Sequence, residues 1–317
     1  MNLRRLKYFV RIVDAGSLAQ ASQLLHIAQP ALSQQLFILE QEFGLPLLIR
    51  NKRGMTPTAA GLTLYTHAQV ILRQFGQAQI DVRRSGERLS GKVSIGLPPG
   101  IATAMLPLPL LQAARRAHPL ITLHLNENLG TTLIDLVQTG RMDMAVLYGA
   151  PSVQGIRAQQ LVQEALYVVM PFSEARNQRR VSGKENANED EPEGMPLSHL
   201  RDVDLILPRP HNCLRCYLEA AFANARLTPR VVAEMESAVT LSAALAAGLG
   251  ATILPYSAAR AISELSGGAL YRLTEPCVDV PLMLCQSDHL ATSEPVAAIR
   301  DLLLQVMSDV ITAEATA

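Results

Sequence analysis

The stretch GSLAQASQLLHIAQPALSQQLFILE, residues 16–40, sets a proline between two apolar runs at helical spacing. Proline lacks an N–H and has a fixed φ, so it suits the first turn of a helix, where that N–H would have no partner. Pro30 therefore starts a helix, and Leu32, Leu36 and Leu39, at i, i+4 and i+7, mark its buried stripe. Upstream, Ser17 is placed to cap a short helix whose buried face is read as Ala21, Leu24 and Leu25. His26, Ile27 and Ala28 then form the turn. Leu3, Leu6, Phe9, Val10 and Val13 share one face, so residues 2–14 read as an earlier helix stopped by Gly16. Two short helices across a tight turn make a helix-turn-helix, whose second helix enters the major groove of DNA. The first turn of that second helix offers Gln29, Ser33 and Gln34, uncharged hydrogen-bonding side chains suited to base edges or phosphate. Gln35 and Gln41 read as an ordinary exposed polar face.

The segment LLIRNKRGMTPTAAG follows. Leu48 and Ile49 are strand-like, Arg50, Asn51, Lys52, Arg53 and Gly54 form a basic turn, and the chain resumes at Met55, the pattern of a small β-wing. Three cations there suit phosphate and minor-groove contact. Thr56 and Pro57 repeat the cap-then-proline logic and predict a helix from Pro57 to Arg88. Along it Tyr65, Leu72 and Gln79 fall seven apart, as do Ala68, Phe75 and Val82, a seam suited to a partner helix and hence to dimerisation.

Charge agrees with this division. Residues 1–90 carry 11 Lys and Arg against 5 Asp and Glu, whereas the remainder carries 17 against 23, although the whole 317-residue chain has a formal net charge of zero. A basic head on an acidic body fits one part that meets a polyanion and one that does not. Hydrophobic residues make up 49% of the sequence, enough for a sizeable core, yet no apolar run reaches membrane-span length. The start, MNLRRLKYFV, has no signal-peptide anatomy, and four cysteines imply no disulfide framework, so a soluble cytoplasmic protein with no membrane association is expected.

The first 66 residues resemble the DNA-binding domain of LysR-type transcriptional regulators. The resemblance is carried by Leu6, Phe9, GSLAQAS, Leu24, QPALSQQ, Leu39 with Glu40, LLIRNKRG, and Thr56-Pro57 with Gly61. It extends over nearly the whole chain, and MNLRRLKYFVRIVDAGSL, LHIAQPALSQQ and LYTHA are most similar to the nitrogen-assimilation regulators of that family. It implies an α/β protein with an N-terminal winged helix-turn-helix, a long linker helix and a two-lobed, periplasmic-binding-protein-like effector domain. Residues 1–57 would bind DNA, 58–90 would link and dimerise, and 91–317 would sense an effector, with lobe I over 91–161 and 268–317 and lobe II over 162–267. Double-stranded DNA, RNA polymerase, a small-molecule effector and a homodimeric or homotetrameric assembly are the implied partners, with control by expression level as the alternative to an effector. No cofactor is expected. Ser17, Gln29, Pro30, Ser33, Gln34, Arg50, Lys52 and Arg53 are the DNA-binding candidates.

The rest of the sequence supports two lobes independently. KVSIGL (92–97), ITLHLNEN after Pro119 and RMDMAVLYG read as strands separated by helices, one ending near Arg116 and one running from Gly130 to Gly140, a pattern that predicts a parallel, doubly wound sheet. Such sheets bind ligands beyond the carboxyl ends of their strands. Gly100, Thr103, Thr131 and Tyr148 are the candidates there, and Arg209 and Asn212 those from the second lobe. Helix N-termini in the crevice would favour an anion. The relatives implied by the resemblance often place Ser or Thr after the first strand; here PPG stands instead, which disfavours the usual carboxylate mode. Residues 174–194 mix both charges with few apolar residues and read as a surface loop. Cys213 and Cys216 form a CxxC that is either a thiol switch, making the protein a redox-responsive regulator, or two small buried residues. A cytoplasmic small-molecule carrier is a further alternative. No P-loop, GxGxxG or HExxH is present, so an enzyme is not expected.

Overall fold

The structure, a computed structural model, describes residues 2–51, 54–83, 89–98, 106–149, 153–171 and 194–316. Lys52, Arg53, Gly100, Thr103 and all but the last residue of the 174–194 loop lie outside these residues. The chain forms two compact units, divided near residue 88.

The N-terminal unit opens with α1 (Leu3–Ala15), α2 (Leu18–Leu25) and α3 (Gln29–Phe43). Asn2 caps α1 by accepting the Arg4 N–H at 2.8 Å, and Gly16 ends it in the left-handed region at φ 61°. Ser17 caps α2, and His26 ends α2 at φ 54°. Helix α3 begins one residue earlier than expected: Ala28 is its cap and Pro30 its second residue, so the N–H that proline lacks is still one with no intrahelical acceptor. Leu6, Phe9, Ile12, Ala21, Leu32, Leu36 and Leu39 are buried together. Leu24, expected in that core, is 66% exposed. The eight-residue α2 turns Leu18, Ala21 and Leu25 inward instead, and Leu24 falls on the far side.

Strands β1 (Leu48–Asn51) and β2 (Gly54–Pro57) form an antiparallel hairpin, with Leu48 opposite Pro57 and Asn51 opposite Gly54. It is held at two points. The Glu40 carboxylate of α3 accepts the Leu47 and Leu48 N–H groups at 2.8 and 3.2 Å. The Met55 N–H donates to the Gly16 carbonyl at 2.7 Å, and a Cβ on Gly54 would lie 2.3 Å from that same oxygen. Because β2 extends to Pro57, α4 spans Ala59–Arg83 and its cap is Thr58, whose Oγ1 accepts the Gly61 N–H at 2.9 Å. Thr56, expected as the cap, accepts from Asn51 Nδ2 across the hairpin at 2.9 Å instead.

The seam along α4 divides. Ala68 is fully buried in the unit's own core, and Tyr65 and Leu72 pack against that core. Further along, Phe75 is 45% and Val82 75% exposed.

The C-terminal unit is two-lobed. In the first lobe, β3 (Gly91–Leu97) lies between β4 (Ile121–Glu127) and β5 (Met144–Tyr148), all parallel, with α5 (Pro107–Ala117) and α6 (Gly130–Gln138) between them in sequence. The 15-residue β6 (Ile156–Met170) then spans both lobes. Its residues Ile156–Ala165 pair antiparallel with β12 (Asp279–Ser287), which in turn pairs antiparallel with β5. Residues Leu166–Met170 pair with β10 (Thr252–Pro255) and β11 (Ala269–Thr274). The sheet is therefore mixed rather than parallel, because the strands that cross between lobes run against the βα units. Val162 lies inside β6, and β11, which follows residue 268, still pairs in the second lobe, so the return crossing comes after Thr274. The second lobe also contains β7 (Gly194–Pro196), β8 (Asp204–Leu207), α7 (Cys213–Asn224), β9 (Arg230–Glu234), α8 (Ala238–Ala246) and α9 (Tyr256–Ser266), with β8 and β9 parallel. Helix α10 (Glu294–Thr316) completes the first lobe, its Val296, Ile299 and Leu303 joining that lobe's core.

Candidate functional site

Helix α3 presents one face to the core and one to solvent. Gln29, Pro30, Ser33 and Gln34 are all exposed at its first turns. Leu32 and Leu36, both buried, fix the rotation that turns these polar residues outward. The first intrahelical bond runs from the Leu32 N–H to the Ala28 carbonyl at 3.1 Å, which leaves the start of the helix open to an external acceptor. Gln35, read as off the interface, accepts from Arg5 Nε at 3.1 Å, and Arg5 also pairs with Glu42. Ser17 is engaged as the α2 cap, its Oγ accepting the Gln20 N–H at 3.5 Å. Arg50 is exposed on β1. One positioning residue was missed: Glu40, which ties the helix to the hairpin, was legible only as part of a motif, because the N–H groups that donate to it, on Leu47 and Leu48, lie seven and eight residues away.

Tyr65 on α4 donates a hydrogen bond to Asp14 at 2.5 Å, so α4 is anchored on α1. Its phenol is pushed up to about 12, first by burial and then by the carboxylate it is bonded to.

The second candidate is a cleft of about 690 Å³ between the lobes of the C-terminal unit. It brings together Thr131, Tyr148, Arg209 and Asn212, four of the six effector candidates; the other two lie outside the described residues. None of the last three is idle. The Tyr148 hydroxyl lies 3.2 Å from Glu164 and 3.0 Å from Ser257, and the Ser257 N–H donates to Glu164 at 2.9 Å. Burial, then the Glu164 charge, raises the Tyr148 phenol well above its ordinary range. Arg209 donates twice to Glu236, at 3.1 and 2.8 Å. Asn212 caps α7 by accepting the Leu214 N–H at 3.0 Å. At two of the helix starts expected to be open, one N–H is engaged from within: Asn128 accepts from the Leu129 N–H at 2.9 Å just ahead of α6, and Ser237 from the Thr240 N–H at 3.3 Å on α8. Thr252 was missed by sequence reasoning. It lines the cleft and is fully buried, and its Oγ1 has no hydrogen-bond partner.

Cys213 and Cys216 are both exposed, against the reading of two buried residues. Partial burial of the Cys213 thiol, and then Cys216 beside it, push its pKa up, which lowers the thiolate fraction that a thiol switch uses. Among the described residues no cluster of three or more His, Cys, Asp or Glu could hold a metal ion, and no helix is long and apolar enough to cross a membrane.

Comparison with known proteins matches both units. The family of bacterial regulatory helix-turn-helix proteins of lysR type matches residues 3–62, and the LysR substrate binding domain matches residues 86–308. The nitrogen assimilation regulatory protein nac of Klebsiella aerogenes is 44% identical over 308 residues, 97% of this chain and 96% of that protein. Its counterpart in Escherichia coli K12 is 43% identical over 309 residues, with the same shares covered. Among solved structures, full-length CbnR complexed with its target DNA is similar with a TM-score of 0.67 at 26% identity, covering 98% of this chain and 99% of CbnR.

Proposed function

The chain belongs to the LysR family of transcriptional regulators, carrying that family's DNA-binding helix-turn-helix and substrate-binding domain, and from this premise we propose that it controls nitrogen-assimilation genes by sequence-specific binding of double-stranded DNA. The observation that carries the DNA-binding mode is the exposed row Gln29, Ser33 and Gln34 at the start of α3, beside a hairpin that displays Arg50. Gln34 and Gln29 read base edges, and Ser33 contacts either a base or phosphate. Arg50, with Lys52 and Arg53 between the wing strands, holds the backbone. Pro30 presets the first turn of the helix, and Ser17 sets the angle of α2 against it. The nitrogen assignment rests on the two nac relatives.

The protein acts in the cytoplasm as a homodimer or homotetramer, with the outer half of α4 meeting a second copy through Phe75 and Val82, and it works on RNA polymerase at the promoter. Pairing there leaves two helix-turn-helix units to read a dyad-like site. A small molecule in the interlobe cleft modulates it, contacting Thr131, Tyr148, Arg209 and Asn212, with Gly100 and Thr103, which follow β3 in the sequence, as further contacts.

The test is capture of genomic fragments by the purified protein, followed by footprinting. Discrete dyad-symmetric footprints beside nitrogen-assimilation genes are expected. Gln34→Ala should change which sequences are retained. Arg50→Ala should weaken all of them and lower the salt slope by about one. Retention of all fragments alike, abolished by moderate salt, would remove the specific reading.

A further inference from the structure

We propose that the interlobe cleft takes a neutral, mainly apolar molecule carrying one hydroxyl-like hydrogen-bonding group, and that it rejects carboxylates. The inference rests on the effector reading of the cleft given above. The walls are largely aliphatic: Leu129, Ile134, Leu147, Met235, Leu241 and Leu254 all line a space of about 690 Å³, a size typical of small-molecule sites.

Charge on the described wall disfavours an anion. Its one guanidinium, Arg209, is already bonded twice to Glu236, and Asp135 adds a second carboxylate. His211 is the other basic side chain there, and it is exposed to water. Four helices start at described cleft residues, and each has an oxygen of this chain at or just ahead of its first turn, from Asn128, Asn212, Ser237 and Glu164. A carboxylate entering would shed its water and find no unengaged guanidinium, a costly exchange.

One group on the wall does ask for a partner. Thr252, on β10, is fully buried, and its hydroxyl makes no hydrogen bond. Buried hydroxyls in folded proteins nearly always have one. Thr252 Oγ1 can donate to or accept from a ligand oxygen, which fixes the single polar group of the molecule at the β10 side of the cleft.

The test titrates the full-length protein with 2-naphthalenemethanol, 2-naphthoate and 2-methylnaphthalene, which share a ring and differ in the polar group. The sequence has no tryptophan, so naphthalene fluorescence is read without strong overlap. The alcohol should bind about tenfold or more tightly than the carboxylate. Thr252→Val should weaken the alcohol about two- to tenfold while leaving 2-methylnaphthalene unchanged. Thr252→Ser, which keeps the hydroxyl, should restore the alcohol's advantage. Tighter or equal binding of the carboxylate, or no binding of any probe, overturns the proposal. An equal loss of alcohol and hydrocarbon in Thr252→Val overturns the role of the hydroxyl. Alcohol binding that leaves the DNA footprint unchanged upholds the ligand class and instead removes the effector reading on which it rests.

Discussion

Two glycines on one helix should respond to alanine with opposite signs. Gly61 and Gly76 both lie within α4, and alanine is favoured over glycine inside a helix by about 0.8–1.0 kcal/mol. At Gly76 a Cβ would meet nothing within 4 Å, so Gly76→Ala should collect that gain. At Gly61 a Cβ would lie 2.0 Å from the Leu47 carbonyl oxygen, with the Leu47 carbonyl carbon at 3.0 Å and Pro57 Cβ at 3.3 Å. The obstacle is backbone, and that oxygen also accepts the Thr58 N–H at 2.9 Å, so it cannot yield without opening the start of the helix. Forcing a methyl into such a space costs about 2 kcal/mol, and the strained Thr58 bond about 1 more. Against a propensity gain of about 1 kcal/mol, the net loss is about 2 kcal/mol. For a unit of this size that is roughly 8–16 °C in Tm. Thermal unfolding of the full-length protein, following the transition of the N-terminal unit by its loss of DNA binding, measures both variants against wild type. A Gly61→Ala protein as stable as Gly76→Ala would refute the close approach of α4 to the Leu47 carbonyl just ahead of β1.

Two further outcomes follow from the same unit. Glu40→Ala removes the acceptor of the Leu47 and Leu48 N–H groups, so the N-terminal unit should lose about 1.5–3 kcal/mol, and footprinting should show weaker binding to preferred and unpreferred DNA alike; a loss confined to one sequence class would contradict a purely positional role. The Tyr65 phenol, raised to about 12 from 10.0, favours the folded state: that contribution is whole below pH 10 and is lost as pH rises from there to about 12, because the unfolded chain releases the proton first. Ultraviolet titration should show one late-ionising tyrosine fewer in Tyr65→Phe than in wild type, with the buried Tyr148 still titrating late, and loss instead of a tyrosine from the ordinary range would refute the raised Tyr65 phenol.

What the sequence discloses and what it hides separate along one line, between local and long-range demands. Gly16, Ser17 and the Leu32–Leu36–Leu39 stripe set φ, caps and burial within a turn or two of themselves, so the helix-turn-helix is readable from them. The start of α4 is misread at Thr56 because pairing of Pro57 with Leu48, nine residues back, keeps the chain in a strand for two residues more. Leu24 looks apolar and helical, yet the tilt of α2 against α1 and α3, which no local pattern encodes, leaves it in water. The direction of β6 and β12 depends on how the lobes are joined, so alternation of strands and helices predicts a parallel sheet and misses the mixed one. Arg209 and Asn212, chosen for their position after β8, do line the cleft, but their engagement with Glu236 and Leu214 is a matter of three dimensions. Thr252 is the extreme case: in GATILPYS it is one more β-branched strand residue, and only burial without a partner distinguishes it.

Tyr148 connects these observations to the regulation proposed above. It ends β5 in the first lobe, it lines the cleft, and its hydroxyl meets Glu164 on the crossing strand β6 and Ser257 on α9 of the second lobe. Glu164 is itself buried and takes the Ser257 N–H, so the hydrogen bonds close a ring of three residues drawn from both lobes and the strand that joins them. A buried carboxylate of this kind tolerates little rearrangement, since breaking one of its bonds strands a charge in a low dielectric. The ring therefore resists relative motion of the lobes at the very wall a ligand would touch. A molecule in the cleft can shift a lobe equilibrium only by its difference in affinity between the two arrangements, and the contacts that differ must include the ring or the walls it holds. A ligand that bonds Thr252 on β10, which pairs with the second-lobe end of β6, adds to the side of the cleft that the ring already fixes. On the effector reading proposed above, such a ligand would leave the ring intact, whereas one that drew the Tyr148 hydroxyl away from Glu164 would have to compensate for the carboxylate it leaves behind.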